Sequence, residues 1–156
     1  AATFDQNSSF FNVSSGSLHF KNCEVTGVFG ENGTLFNSVN SFVFFVNTGL
    51  TVQAQTYCCA LSSLDSRTEV KKCRVSAVAQ TAVNFSVNGG KFECRNSSLR
   101  VSGHLGRIAE LTATTTSMTE NSYNGDFDKK VRGVVPVWCD KSTVILEDSK
   151  NVSAGF

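Results

Sequence analysis

The stretch Phe85-Ser86-Val87-Asn88-Gly89-Gly90-Lys91-Phe92-Glu93-Cys94 alternates apolar and polar residues on both sides of a short glycine turn. Alternation with a period of two is typical of a β-strand that buries one face and exposes the other. The same order of residue types recurs, with changes, at residues 11–20, 109–118 and 137–146. One such unit cannot bury its apolar face alone, whereas stacked copies can, so the recurrence predicts a solenoid.

The spacing of the copies suits a coil of three short strands. Copies begin at residues 85, 109 and 137, an interval of 24 and then 28 residues, and a strand averages about five or six residues. Residues 44–49 are interpreted as a further copy, with a bulge or a longer corner that restores the register at Leu50. Residues 68–75 are interpreted as a coil with a poorer pattern.

Phenylalanine is the dominant aromatic residue, with 13 Phe against one Trp and two Tyr. Reuse of one ring type suggests stacked aromatic side chains at equivalent inward positions. We expect Phe20 and Phe92 to share one such position, and Phe11, Phe44 and Phe85 to share another.

Composition points to a β-rich extracellular protein. The chain has 156 residues, 14 Lys and Arg against 13 Asp and Glu, and only 17% charged residues. This balance gives no support for nucleic-acid partners, and no apolar run is long enough for a transmembrane segment. No signal peptide or initiator Met is present, so we expect a processed or excised part of a longer precursor that is secreted or displayed at the cell surface.

Two segments resemble coils of right-handed parallel β-helix proteins: Gly16-Ser17-Leu18-His19-Phe20-Lys21-Asn22-Cys23-Glu24-Val25-Thr26-Gly27 and Gly90-Lys91-Phe92-Glu93-Cys94-Arg95-Asn96-Ser97-Ser98-Leu99-Arg100-Val101-Ser102-Gly103. That superfamily includes pectin-lyase-like enzymes and repeat-containing surface adhesins, among them polymorphic outer-membrane proteins. The Phe-x-x-Asn spacing of residues 44–47 and 85–88 is similar to a motif of those outer-membrane proteins. The resemblance implies an all-β, right-handed parallel β-helix (β-solenoid) of about five or six coils, in a single domain over residues 1–156.

Asparagines are expected at the corners of the coils. Asn22 and Asn96 have the same offset from their glycines, and Asp148 has that offset in the last copy. A side-chain amide at a bend can hydrogen-bond to backbone groups that the bend leaves unpaired. We therefore interpret these residues as structural rather than as ligand-binding.

The six cysteines are disulfide candidates; they are Cys23, Cys58, Cys59, Cys73, Cys94 and Cys139. None has Cys-x-x-Cys spacing, and only two His are present, so no metal site or cofactor is expected. An even count is compatible with three disulfides in an oxidising compartment. The alternative is that Cys94 and Cys139, at inward offsets, are small core residues. At most one thiol of Cys58 and Cys59 is expected to face the core, because neighbours on a strand point to opposite faces.

Asn-x-Ser/Thr sequons mark candidate glycosylation sites; they begin at Asn7, Asn12, Asn32, Asn84, Asn96 and Asn151. Asn12 precedes the inward Val13 and Asn84 precedes the inward Phe85, so both are expected to face solvent. Asn32 lies in a turn flanked by glycines. Asn96 is at a corner, where the pattern leaves exposure and burial both open.

No catalytic motif stands out. Two carboxylates could serve glycoside hydrolysis, and the closest candidates are Asp126 and Asp128, near Lys130 and Arg132. This segment follows Asn124-Gly125 and is interpreted as a solvated loop between coils. His19 and His104 have no nucleophile in a recognisable motif. The expectation is a non-enzymatic protein, and a polysaccharide lyase or hydrolase is a remote alternative suggested by the resemblance.

Two non-enzymatic roles fit the pattern. The first is a structural or adhesive unit of an extracellular assembly, because open solenoid ends expose strand edges and apolar columns. We expect these ends to be covered by self-association into a filament or by further coils of the same precursor. The second is a carbohydrate- or receptor-binding module that uses a lateral face, with Trp138 as the contact residue because alternation turns it outward.

Overall fold

A computed structural model describes residues 2–4, 8–127, 137–140 and 143–147. Within these ranges every regular element is a β-strand. The strands are β1 Ala2–Phe4, β2 Ser8–Ser14, β3 Ser17–Lys21, β4 Glu24–Phe29, β5 Asn32–Val39, β6 Phe42–Val46, β7 Gly49–Gln53, β8 Tyr57–Leu64, β9 Arg67–Lys71, β10 Arg74–Val78, β11 Thr81–Asn88, β12 Lys91–Arg95, β13 Ser98–Gly103, β14 Leu105–Thr112, β15 Thr115–Thr119, β16 Ser122–Phe127, β17 Val137–Asp140 and β18 Thr143–Glu147.

The strands form three parallel sheets of six strands each. Sheet A has the order β1-β4-β7-β10-β13-β16, sheet B has β2-β5-β8-β11-β14-β17, and sheet C has β3-β6-β9-β12-β15-β18. The chain visits A, B and C in turn and then returns to A one layer higher. This is a β-solenoid, with four turns between residues 24 and 119 described without a gap. The expected all-β parallel solenoid is confirmed, and the right-handed winding stays a prediction that the general preference of parallel crossovers supports.

The register of sheet B confirms the repeated stretch that the sequence shows. Phe85 pairs with Leu61 on one side and with Ala109 on the other. The same column continues through Phe36 to Phe11 at one end and to Val137 at the other. Equivalent residues of successive copies therefore lie directly over one another, as a solenoid requires.

Two expected Phe positions are wrong. Phe20 shares its column on sheet C with Phe45, Val70 and Cys94, whereas Phe92 stacks on Thr68 in the neighbouring inward column. Both rings point inward, but two residues apart along the strand. Phe44 is not in the Phe11 column at all, because it lies on the outer face of β6 beside His19.

The reason is an error of phase in the sequence interpretation. Residues 44–49 and 68–75 each run from sheet C across a corner into sheet A, whereas the copies at 11 and 85 run from sheet B into sheet C. Both corners join two short alternating strands, so the two patterns look alike. No bulge is needed at Leu50, which pairs in register with Val25 and Val75.

The interior is a continuous column of apolar side chains. Its largest members include Phe36, Phe45, Phe85 and Phe92, each no more than 1% exposed. Phe36 stacks almost parallel to Phe11, with 4.9 Å between ring centroids and 6° between planes. Aromatic stacking of this kind adds packing energy beyond the burial of area, so the column both fills the coil and holds successive turns in register.

Each coil has two corners that contain a residue with a positive φ. At the corner between sheets B and C these residues are Ser15, Asn40, Asp65, Gly89 together with Gly90, and Ala113, and at the corner between sheets C and A they are Asn22, Asn47, Lys72, Asn96 and Glu120. Asparagine and aspartate tolerate this left-handed conformation better than most residues. The corner role expected for Asn22 and Asn96 is confirmed, and Asp148 lies outside the described residues.

The hydrogen bonding at these corners differs from the expectation. Asn22 and Asn96 are exposed, and the backbone bonds are made instead by the buried polar residue that follows the corner residue. Thr48 Oγ1 donates to Val46 O at 2.9 Å, and Ser97 Oγ donates to Arg95 O at 3.0 Å. Each of these carbonyls also accepts a backbone N–H from the preceding turn, Asn22 N on Val46 O and Lys72 N on Arg95 O, so the side chain that follows the bend adds a second hydrogen bond to it.

Besides its two corners, each coil has a third bend, which lies within the strands of sheet B. Consecutive residues are buried in four of these strands: Leu35 with Phe36 in β5, Ile108 with Ala109 in β14, and four residues each in β8 (58–61) and β11 (82–85). A flat strand cannot place neighbours on one face, so each of these strands bends at this point. The bend shifts the alternation and decides which residues face the interior further along the strand.

Candidate ligand-binding groove and exposed side chains

A glycine notch creates a groove at the corner between sheets C and A. Glu24, Gly49 and Arg74 are the first residues of β4, β7 and β10 and are stacked in one column. Gly49 has no side chain, so Glu24 from one turn and Arg74 from two turns later meet above it in an ion pair. A Cβ at position 49 would lie 1.7 Å from Glu24 Oε2, so the notch depends on glycine.

The corner groove is a cleft of about 610 Å³ around this notch. Its lining residues are Asn22, Cys23, Glu24, Asn47, Thr48, Gly49, Lys72 and Arg74. Asn47 Nδ2 donates to Asn22 Oδ1 at 2.9 Å, which forms a ladder of amides along the corner. The size is within the range of about 300–1,000 Å³ that small-molecule sites occupy.

The corner groove continues along the outer face of sheet A. A second depression of about 280 Å³ shares Glu24, Gly49 and Arg74 with it and adds hydroxyl groups and another guanidinium. The added polar residues are Thr51, Ser76, Ser98 and Arg100. The two depressions form one shallow groove with an open, polar wall.

The electrostatics of the groove favour anions. Lys72, Arg74 and Arg100 are its cations, and Glu24 is the only carboxylate among its lining residues. The side chains of Arg74 and Glu24 are 77% and 62% exposed, so their pair is a surface ion pair. Such pairs are worth at most about 1 kcal/mol, and an incoming anion can therefore replace Glu24 on Arg74 at little cost.

Sheet C carries an aromatic and charged patch that the sequence interpretation missed. Alternation along the run 42–46 buries Val43 and Phe45 and turns Phe42 and Phe44 outward. His19 contacts both rings edge-on, at centroid distances of 5.4 and 5.8 Å. The signal was present in the sequence, but the error of phase at residue 44 concealed it.

Charged side chains of sheet C lie over the rings of this aromatic patch. The Arg67 guanidinium lies 5.4 Å from the centroid of Phe42, and the Lys71 ammonium lies 5.7 Å from the centroid of Phe44. Glu69 lies between these cations, 2.6 Å from Arg67 and 3.2 Å from Lys71. Burial acts to raise the pKa of Glu69, but the hydrogen bonds from both cations outweigh it and lower the pKa. Each ring therefore has a cation over it, a contact that is favourable and that reduces the aromatic surface open to a ligand.

The cysteine interpretation needs a correction. The five cysteines whose side chains the structure describes are all free thiols: Cys23, Cys58, Cys59, Cys73 and Cys94. Cys23 and Cys73 share a corner column, but Thr48 lies between them. Two strand spacings amount to about 9.6 Å, which is beyond the Cα separation of a disulfide. The side chain of Cys139 lies outside the described residues.

The paired cysteines are both buried, on opposite faces of β8. Cys58 belongs to the hydrophobic core, while Cys59 is 1% exposed and is not part of that cluster. The prediction that only one thiol faces the core is confirmed. Desolvation raises the pKa of each thiol to about 12 and also raises the pKa of Tyr57 beyond the normal range. Such thiols stay protonated and unreactive near neutral pH.

The sequons fall into different environments. Asn12 is exposed as expected and accepts a hydrogen bond from Asn37 at 3.3 Å, Asn32 is half-buried, and Asn96 is exposed at its corner. Asn84 contradicts the prediction, because it is fully buried. It lies at the bend of β11, where both Asn84 and Phe85 point inward. Asn7 and Asn151 lie outside the described residues.

The remaining candidates do not assemble into a catalytic site within the described residues. Asp126 is part of β16, where it pairs with Ser102, so the expected loop after Asn124-Gly125 is wrong at this point. Asp128, Lys130 and Arg132 lie outside the described residues. Trp138 is placed on β17 opposite Glu110, but its side chain is not described.

The described part of the chain contains no group of three or more His, Cys, Asp or Glu side chains that could hold a metal ion. It also contains no helix with the length and apolar character needed to cross a bilayer.

Comparison with known proteins gives no relative from which a role could be transferred. No protein-family model matches the chain, and neither the curated proteins nor the solved structures include a significant match.

Proposed function

We propose that this chain is a non-enzymatic structural or adhesive unit of an extracellular or surface assembly, comparable in role to the solenoids of surface adhesins. The observation that carries the proposal is the layer formed by β2 and β3. Its apolar side chains Phe10, Phe11, Val13, Leu18 and Phe20 are only partly buried. In the next turn, Phe36 and Phe45 stack on Phe11 and Phe20, and each of them is at most 1% exposed.

The strand edges of this layer support the same proposal. In the described chain β1, β2 and β3 are terminal in their sheets and have a hydrogen-bonded neighbour on one side only. An unpaired parallel edge next to a half-exposed apolar layer is a template for another strand layer. The two candidate occupants are further coils of a longer precursor and the opposite end of a second copy, and we propose the second copy.

Register supports this choice of occupant. Strands β17 and β18 are the other terminal strands of sheets B and C, and they place Val137 and Leu146 at the ends of the columns that begin with Phe11 and Phe20. A second copy stacked head to tail would continue both columns without a change of direction. A contact of this type does not close on itself, so it propagates into a filament.

Association can be tested with two matched variants. We expect the wild-type chain to associate in a concentration-dependent manner in light scattering and to form rods in negative-stain microscopy. Leu18→Asp places a carboxylate in the end layer and should leave monomers. Leu105→Asp makes the same change on a lateral face, where Leu105 is 42% exposed, and should leave association unchanged.

A wild-type chain that stays monomeric at high concentration would contradict the stacking proposal. Equal association of the Leu18→Asp variant, with an unchanged circular dichroism spectrum, would also contradict it, because the charged layer would then lie outside the contact.

Lateral ligand binding is the second candidate function, and the corner groove is the observation that favours it. The groove is concave, polar and rich in exposed cations. A glycan array with the wild-type chain and with a Lys72→Gln/Arg74→Gln variant tests this function. Signals that depend on the two cations would support it, and the absence of any signal would exclude carbohydrate binding.

A further inference from the structure

The corner groove combines charge with many neutral hydrogen-bonding groups. Its cations are Lys72, Arg74 and Arg100, and its amides and hydroxyls come from residues on four successive turns. Amides donate and accept hydrogen bonds, and hydroxyls do both as well. This chemistry matches a ligand that carries both anionic groups and hydroxyl groups.

The lining also separates the classes of macromolecule that could bind. Single-stranded nucleic acids are bound on aromatic side chains that stack against the bases, and neither depression has an aromatic lining residue. Protein partners anchor through aromatic or aliphatic side chains in well-packed pockets, and the groove is shallow. An anionic oligosaccharide fits both the cations and the neutral amides and hydroxyls of the lining.

The arrangement of the cations indicates the density of charge on this ligand. Arg74 and Arg100 lie on the adjacent strands β10 and β13, where Arg100 pairs with Ser76 and Arg74 pairs with Ser98. They are therefore diagonal neighbours, about 8 Å apart at the backbone, because two residues along a strand span about 6.6 Å and neighbouring strands lie about 4.8 Å apart. Lys72 precedes Arg74 by two residues at the corner, so the three cations follow one line from the corner onto sheet A. A ligand that pairs with all three carries several anionic groups on neighbouring sugar rings.

We propose that the corner groove binds a densely sulfated oligosaccharide, with its sulfates at Lys72, Arg74 and Arg100 and its hydroxyls at the asparagine ladder. Glu24 competes for Arg74 but satisfies only one cation, whereas a sulfated chain satisfies three. Gly49 leaves room for this pair, because Glu24 Oε2 lies where a Cβ at position 49 would be, and the exposed Arg74 is held at the surface of the groove. The proposal depends on lateral ligand binding and is independent of end-to-end stacking.

The test is an isothermal calorimetric titration of the chain with a heparin-derived octasaccharide, carried out at two salt concentrations. Wild-type affinity should fall at higher salt, since exposed charges are screened beyond about 8 Å at physiological ionic strength. Lys72→Gln/Arg74→Gln should weaken binding at least about tenfold, as expected when charge-assisted hydrogen bonds are lost. Glu24→Gln should strengthen it about twofold to fivefold, the range that an exposed ion pair represents.

Matched controls localise the binding. Arg107→Gln removes the same charge from sheet B, where Arg107 pairs with Glu110 at 3.0 Å, and should leave the affinity unchanged. A hyaluronan octasaccharide, with one carboxylate per disaccharide, and a neutral dextran oligosaccharide of the same length should bind at least about tenfold more weakly than heparin.

Each outcome has a distinct meaning. Equal losses in the Arg107 and the Lys72/Arg74 variants would overturn the proposal, because binding would be delocalised over the surface. Hyaluronan binding as tight as heparin would overturn the requirement for dense sulfation. If only the neutral oligosaccharide binds, the proposal of a sulfated ligand would be wrong, but lateral carbohydrate binding would be supported. If none of the three oligosaccharides binds, both the sulfated ligand and lateral carbohydrate binding would be excluded.

Discussion

Replacing Asn84 with leucine should stabilise this protein, although Asn84 is one of its most deeply buried residues. Both its Oδ1 and Nδ2 atoms are buried and have no hydrogen-bond partner. The register places Asn84 between Ala60 on β8 and Ile108 on β14, in an otherwise apolar column. An unpaired polar group at such a position costs about 1–3 kcal/mol.

Leucine removes this cost with little change in shape. Asn and Leu both branch at Cγ and have the same number of side-chain heavy atoms, so neither a large cavity nor severe overpacking is expected. We therefore expect Asn84→Leu to raise the free energy of unfolding by about 1–3 kcal/mol. For a chain of this size the melting temperature should rise by about 2–4 °C for each kcal/mol.

Asn121 provides the matched control, because it is equally buried but fully engaged. Its Nδ2 donates to Cys94 O at 3.0 Å, and its Oδ1 accepts from Ser97 N at 3.0 Å. Asn121→Leu removes these two hydrogen bonds from buried backbone groups and should lower stability by about 2–5 kcal/mol. The same substitution should therefore have opposite signs at two buried asparagines.

Urea unfolding monitored by circular dichroism measures both variants. Asn84→Ala separates the amide from packing, since alanine has no polar group and cannot overpack the column. A loss of more than about 2 kcal/mol in both Asn84 variants would refute the reasoning. Such a result would mean that the amide is satisfied inside the solenoid.

Three further predictions follow from the structure. Gly90→Ala should lower the free energy of unfolding in urea by about 1–3 kcal/mol, because Gly90 has a φ of 71° and an alanine Cβ would lie 2.1 Å from Ser66 O. Gly16 has the same position at its own corner without a positive φ, and Gly16→Ala should change the free energy of unfolding by less than about 0.5 kcal/mol. In native protein at pH 8, alkylation followed by mass spectrometry should leave Cys58 and Cys59 unlabelled, because burial raises the pKa of both thiols from the ordinary 9.0 to about 12. Between pH 9 and pH 12 the folded state keeps the thiol protons that the unfolded state loses, so the free energy of unfolding should decline as the pH rises through this range. Peptide mapping of folded protein secreted from a eukaryotic cell should find Asn84 unmodified, with glycans confined to exposed sequons, and a glycan on Asn84 in folded material would contradict the inward bend of β11.

Much of the architecture was accessible from local pattern. Alternation with a period of two and its recurrence predicted parallel stacked strands, and the column from Phe11 to Val137 contains the first residues of all four quoted copies. The corner role of Asn22 and Asn96 was also readable, because a positive φ is an intrinsic preference of asparagine. These features depend on a residue and its near neighbours.

The candidate site was not accessible in the same way. The corner groove depends on Glu24, Gly49 and Arg74, which are 25 residues apart in sequence and adjacent only when successive turns are stacked in the correct register. The alternating pattern around Phe44 was assigned to the column of Phe11 and Phe85 in sheet B, whereas Phe44 lies on sheet C. Because of this error of a few residues, the exposed aromatic patch was not predicted.

The sequence by itself determined that the chain forms short alternating strands separated by tight corners, because those choices depend on local backbone and burial preferences. Only the tertiary structure decided which residues became neighbours between turns, and which face Asn84 occupies. The physical reason is that strand direction at the bend of sheet B depends on packing against the turns above and below. A bend of one residue reverses the facing of every side chain that follows.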